Sequence, residues 1–139
     1  MGKALRFSLA FFLVLAPACA ASLTVTVAGI DKKGGDLHVA LYNEALWPDD
    51  DAKPLADIVV PAMAPQTAVT FKDVAPGVYG VKTYLDANRN GEFDQGAFGL
   101  PLERYGFSRD AKPGLSAPWF ERVSFPVKAG ENAIVIHLQ

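Results

Sequence analysis

A period of two that returns in short bursts constrains this chain more than any other feature. Leu23, Val25 and Val27 alternate with Thr24 and Thr26, the mark of a strand with one buried face. Leu37, Val39 and Leu41 alternate with His38, Ala40 and Tyr42 after a turn over Asp31–Asp36, which predicts a hairpin. Ile58–Val60 reads as a short strand closed by Pro61 and Pro65. Thr67–Lys72 reads as another, with Val69 and Phe71 inward. Ala75-Pro76-Gly77 turns the chain into the longest run, Val78–Leu85. The pattern then lapses over residues 86–120. It resumes with Val123, Phe125 and Val127, turns at Ala129–Asn132, and closes with Ile134, Ile136 and Leu138.

Seven short strands, with no apolar helical stripe sustained over three turns, predict an all-β fold. The expected form is an antiparallel β-sandwich, immunoglobulin-like in the broad sense, with a long irregular excursion before the last two strands. There is no Cys…Trp…Cys spacing of the antibody kind, because the chain has one cysteine. Pro54, Pro61, Pro65, Pro76 and Pro126 fall at strand ends and edges, where no ladder N–H is needed.

The first 20 residues read as an export signal. Lys3 and Arg6 supply the positive start, and Phe7–Ala16 is an apolar run too short to span a bilayer. Ala18-Cys19-Ala20 then offers a small-x-small cleavage site before Ala21. Lipidation of Cys19 is the competing route, although Ala16 stands where a leucine is usual. Cleavage before Ala21 leaves 119 residues, one domain at 21–139, with no thiol and a formal charge of -4. A periplasmic or secreted location is expected, with no membrane span in the mature chain. The whole chain carries 13 Lys+Arg against 15 Asp+Glu. That balance argues against a general nucleic-acid binder and does not suit an anionic-membrane binder.

Chemistry concentrates in Asp86-Ala87-Asn88-Arg89-Asn90-Gly91-Glu92-Phe93-Asp94. Side-chain oxygens fall at loop positions 1, 3, 5 and 9, with a glycine at 6. Calcium takes six to eight oxygens, and alternate residues of a tight loop can aim them at one centre. Asp86, Asn88, Asn90 and Asp94 are the candidate side-chain ligands. Glu92 would give its backbone carbonyl, and Phe93 would anchor the loop. The EF-hand glutamate at position 12 is replaced by Ala97, so this is no EF-hand, and water or Glu103 would complete the shell. With few charges the expected affinity is weak, about 10⁻⁴–10⁻³ M. Turn chemistry alone also accounts for such a loop, since Asn90-Gly91 turns without metal.

Six aromatic residues gather in the 86–120 excursion: Phe93, Phe98, Tyr105, Phe107, Trp119 and Phe120. Tyr105, Phe107 and Trp119 are candidate ligand contacts if the rings stack on sugar or dock a partner. A satellite core under the excursion is the competing reading. His38 and His137 occupy the polar phase of their strands and read as surface residues. Ser108 and Ser116 lack a nucleophile-elbow context, Asp49–Asp51 reads as a solvated loop tip, and no phosphate loop is present. No catalytic residues are assigned, and the expectation is a non-enzymatic binding or accessory module with an envelope protein or a carbohydrate as partner.

The run Gly99-Leu100-Pro101-Leu102-Glu103-Arg104-Tyr105-Gly106-Phe107-Ser108, with the Asp86–Asp94 loop and Pro76-Gly77-x-Tyr79, resembles a bacterial secreted family, domain of unknown function 2141. The resemblance covers essentially all of the chain after the signal. It implies a small exported domain with an immunoglobulin- or transthyretin-like sandwich, and it supplies no catalytic residues.

Overall fold

The computed structural model describes residues 20–139, so the expected export signal, apart from its last residue, and Cys19 lie outside the described residues. Eight strands and one short helix follow in order: β1 (Ala21–Ala28), β2 (Asp36–Tyr42), β3 (Ala56–Pro61), β4 (Gln66–Val74), β5 (Gly77–Asp86), β6 (Tyr105–Phe107), α1 (Phe120–Val123), β7 (Phe125–Val127) and β8 (Gly130–His137). They form two sheets. One has the order β4-β1-β8. The other runs β3-β2-β5-β6, with β7 also paired to β5. The fold is all-β, as expected.

Alternation determines which face each strand buries. Leu23, Val25 and Val27 of β1 are wholly buried, and so are Leu37, Val39 and Leu41 of β2. These two rows, with Val69, Phe71, Val81, Leu85 and Ile136, form one core cluster between the sheets. Burying a side chain of this kind contributes roughly 1.5–3 kcal/mol. On the outer face Thr24 and Thr70 share a hydroxyl hydrogen bond of 2.9 Å.

Four expectations are corrected. The strands are not all antiparallel: β1 and β8 run parallel, with Val25 opposite Ile134 and Ala28 opposite His137. Local alternation carries no direction, and these strands meet only after the whole domain has been traversed. The Asp31–Asp36 turn does not make a hairpin, because β1 and β2 belong to different sheets. Their apolar rows face the same core from opposite sides, so the turn carries the chain across it. The excursion is not wholly irregular: it holds a strand beyond the seven expected, β6, which lies alongside β5 with Lys82 opposite Phe107. Val123, expected at the start of a strand, closes α1 instead.

Close approach explains why β6 carries a glycine. A Cβ on Gly106 would lie 2.7 Å from Ile136 Cγ2, so any larger residue would push β6 off β8. A second core of Trp47, Ala111, Phe120 and Val123, with Tyr42 and Phe107 against it, packs under the excursion. The Trp47 indole N–H donates to the Pro118 carbonyl at 2.7 Å.

The excursion begins where β5 ends. Arg104 straps it to the other sheet by donating to the carbonyls of Gly29 and Leu138, the latter at 3.0 Å. The 86–104 segment therefore sits at the end of the domain where β1 finishes. Ala21 lies a full strand away, about 23 Å at the usual rise per residue.

Candidate functional site

The last residue of β5, Asp86, is almost entirely buried, at 1% exposure. A buried carboxylate needs donors, and the turn supplies them. Asp86 Oδ1 accepts the Asn90 N–H at 3.1 Å and Oδ2 accepts the Gly91 N–H at 2.7 Å. Gly91 has a φ of +81, a conformation that glycine adopts without steric cost. Burial alone would raise the Asp86 pKa. Donation from Gly91, Asn90 and Arg89, with the charge of His38 when protonated, outweighs it and holds the carboxyl below its ordinary value.

The next oxygens continue the pattern. Asn88 Oδ1 accepts the Asn90 N–H at 3.2 Å, and Asn90 Oδ1 accepts the Glu92 N–H at 3.0 Å. The amide nitrogens of Asn88 and Asn90 both donate to Asp94, at 2.6 and 2.9 Å. Asp94 thus draws both asparagine side chains onto its two oxygens. The Glu92 side chain is exposed, and its carbonyl accepts no hydrogen bond among the described residues.

Glu103 reaches the loop from nine residues beyond its end. It is 9% exposed. Its Oε1 accepts the Ala87 N–H at 3.0 Å and its Oε2 accepts the Asp94 N–H at 3.1 Å. One carboxylate therefore clamps both ends of the loop. Sequence spacing brought Asp86, Asn88, Asn90, Glu92 and Asp94 to one turn. The structure adds Glu103 as its brace.

His38, which alternation had placed on a plain outer face, belongs to this site, and so does Tyr84, which the sequence had not singled out. His38 and Tyr84 lie opposite each other across β2 and β5. Their rings stack at 4.3 Å with 13° between planes, and His38 Nε2 lies 3.6 Å from Asp86 Oδ2. The Tyr84 hydroxyl points toward the Gly91 carbonyl at 3.5 Å. Its pKa is pushed up to about 12, first by burial and then by Asp86, Glu103, Asp94 and Glu92. Four carboxylates thus act on one phenol. The signal for this grouping is the β2–β5 register, which a single sequence does not display. Among the described residues no cluster of three or more His, Cys, Asp or Glu side chains is placed to hold a metal ion. Any cation here would lean on amide and carbonyl oxygens as well.

The aromatic residues fall into two groups. Phe93 packs 5.3 Å from Tyr84 and 6.0 Å from Tyr105, the anchoring role expected of it. Tyr105 meets Phe107 edge-on at 5.8 Å, and Phe107 meets Trp47 at 6.1 Å. Tyr105 and Phe107 are half-buried links in this chain of rings, and Phe120 is buried. Trp119 is 80% exposed, and Phe98 is fully exposed with a φ of 60.

Ser108 is wholly buried. Its hydroxyl accepts the Val81 N–H at 3.0 Å and donates to the Val123 carbonyl at 2.6 Å, joining β5 to α1. His137 is exposed, and its ring pairs with Asp110 at 2.8 Å.

No curated protein and no solved structure matches this chain. Residues 25–135 match the family described as an uncharacterized protein conserved in bacteria. The chain belongs to the DUF2141 family.

Proposed function

We propose that this chain is an exported, non-enzymatic binding or accessory module, periplasmic or secreted, whose 86–104 end takes a calcium ion. The sandwich is read as immunoglobulin- or transthyretin-like, with the loop displayed at the end remote from Ala21. One observation carries the calcium reading: Asp86, Asn88, Asn90, Asp94 and Glu103 meet on a single braced turn, and their negative charge is concentrated enough to act on Tyr84. Asp94 holds two amide N–H₂ groups with its two oxygens. A cation replaces those donors when the asparagine amides rotate to present oxygen instead. The Glu92 carbonyl has no competing donor among the described residues. Calcium tolerates this irregular, largely neutral set better than magnesium, which demands tight octahedral geometry.

The non-enzymatic reading draws on how the buried polar groups are used. Ser108, Thr83, Asp86 and Glu103 each hold backbone groups of neighbouring segments. Carbohydrate binding through Tyr105, Phe107 and Trp119 has less support, because the first two rings meet their neighbours edge-on and only Trp119 presents a free face.

The test is a thermal melt in chelator, calcium and magnesium. A ligand that binds only the folded state adds RT ln(1 + [L]/Kd), about 1 kcal/mol at a few millimolar for a Kd near 10⁻³ M. Calcium should raise the melting temperature, magnesium should do so less, and Asp86→Ala should abolish the shift. Identical melts in calcium and chelator would reduce the loop to turn chemistry.

A further inference from the structure

The two sheets do not end alike. Where β6 meets β8 the chain is tied shut: Tyr105 and Gln139 exchange backbone hydrogen bonds, and the His137 N–H donates to Asp110. Strand β4 is blunted near its end, where Lys72 and Asp73 add charge, Asp73 takes a φ of 55, and the pairing with β1 shifts register. Charges and bulges of this kind keep a free edge from pairing. Strand β3, which packs beside β4, has an unbroken register with β2, from Asp36 opposite Pro61 to Leu41 opposite Ala56. No strand lies beyond it among the described residues.

Hydrogen bonding alternates along an antiparallel ladder. The Ala62 N–H donates to the Gly35 carbonyl at 2.9 Å, so Ala56, Ile58 and Val60 point their backbone groups at β2. Asp57, Val59 and Pro61 point theirs away. Side chains alternate as well. Ala56, Ile58 and Val60 are partly buried against the core, while Asp57 and Val59 stand on the outer face, Val59 at 49% exposure. Leu55 and Met63 flank the strand and are more exposed than buried side chains of their kind, at 49% and 69%. The segment is close to a palindrome about Val59: Ile58 answers Val60, Ala56 answers Ala62, and Leu55 answers Met63. Only Asp57 and Pro61 break the symmetry.

We propose that β3 is the contact strand of a two-fold homodimer, in which two copies join edge to edge about Val59 into one continuous sheet. Laid antiparallel on its own copy, the segment sets Val59 beside Val59, Ile58 beside Val60, and Leu55 beside Met63. Apolar cross-strand pairs of this kind stabilise a sheet. The one charge, Asp57, meets Pro61 rather than a second Asp57. Four N–H groups find carbonyls, each Asp57 on Pro61 and each Val59 on Val59. Pro61 lies where its missing N–H leaves only the Asp57 carbonyl to water. The palindrome singles out a second copy as the occupant, since a foreign strand has no use for it. The pairing is short, so the dimer dissociates readily.

The experiment is sedimentation equilibrium of the protein from about 10 μM to about 1 mM, every variant with the same N-terminus. Chelator is present throughout, so the outcome does not bear on calcium at the loop. The mass should rise from one chain toward two and no further. Hydrogen exchange reads the phase of the edge. The Asp57 and Val59 amides should exchange freely in dilute solution and slow by about tenfold once nine-tenths of the chains are paired, with Ile58 and Val60 slow in both. Val59→Lys sets two charges side by side on the axis and should keep the protein monomeric, with the melt of the dilute protein unaltered. If that variant melts early, cysteine variants in a Cys19→Ser background decide. Two Val59→Cys positions come about 5.5 Å apart at Cα, and two Asp57→Cys positions about 14 Å. A bismaleimide too short for the second pair should link only the first. A monomer across the whole range, assembly beyond two, a dimer untouched by Val59→Lys, or linking through Asp57→Cys in place of Val59→Cys would overturn the proposal.

Discussion

Glu103→Gln tests the brace of the loop with little change in shape. The carboxylate accepts two N–H groups, from Ala87 and Asp94, at 3.0 and 3.1 Å. Hydrogen bonds to a charged group contribute about 1.5–3 kcal/mol each. A glutamine keeps one acceptor without its charge and turns a donor toward the other N–H. The expected loss is about 2–4 kcal/mol, a large part of the roughly 5–15 that holds a domain of this size together. In urea, with m near ~2 kcal/mol/M, the midpoint should fall by about 1–2 M. Amide hydrogen exchange locates the damage, and Ala87 and Asp94 should lose protection before the core strands do. An unchanged midpoint with both amides still protected would refute the clamp and make Glu103 a bystander of the loop.

Ser108→Ala should cost about 2–4 kcal/mol in the same assay, because the Val81 N–H and the Val123 carbonyl lose a buried partner. Gly106→Ala should cost roughly 1–3 kcal/mol as its methyl meets Ile136, and Ile136→Val should recover part of that loss if the contact is the cause. Phe107→Ala should lower the urea midpoint by less than the ~3–5 kcal/mol of a fully buried ring, since Phe107 is half-buried; lost ligand binding with unchanged stability would favour recognition instead. The lowered pKa of Asp86 means its contribution is present above the ordinary carboxylate value of about 3.9 and is lost as pH falls through the lower folded value. Asp86→Asn should therefore flatten the acid limb of a stability–pH curve, and an unaltered limb would count against the assignment.

The strands were legible because a buried face imposes a period of two, and the rows of β1, β2 and β5 appear wherever that period is unbroken. Partnership was not legible. Nothing in Leu23–Val27 says that its neighbours are β4 and β8, or that β8 runs parallel to it. Strand β6 escaped notice because Tyr105-Gly106-Phe107 shows one alternation, and the glycine between two rings also describes a turn. The ligand-like loop could be read from spacing, since the hydrogen bonds internal to it span at most six residues. His38 and Tyr84 could not, because the β2–β5 register brings them to Asp86. Glu103 was reachable only as a suggestion from chemistry. The alternation that marked His38 as outward was right about its face, and silent on the ring stacked against it.

Calcium at the 86–94 loop is the central claim, and the most direct measurement is a residue-resolved amide NMR titration of the protein. The account predicts that calcium moves the backbone signals of Asn88, Asn90, Gly91 and Glu92 and the side-chain amides of Asn88 and Asn90, saturably and in the millimolar range. Strand signals of β1 and β4 should stay in place. Unmoved loop signals at saturating calcium, or shifts confined to the solvated Asp49–Asp51 tip, would contradict it.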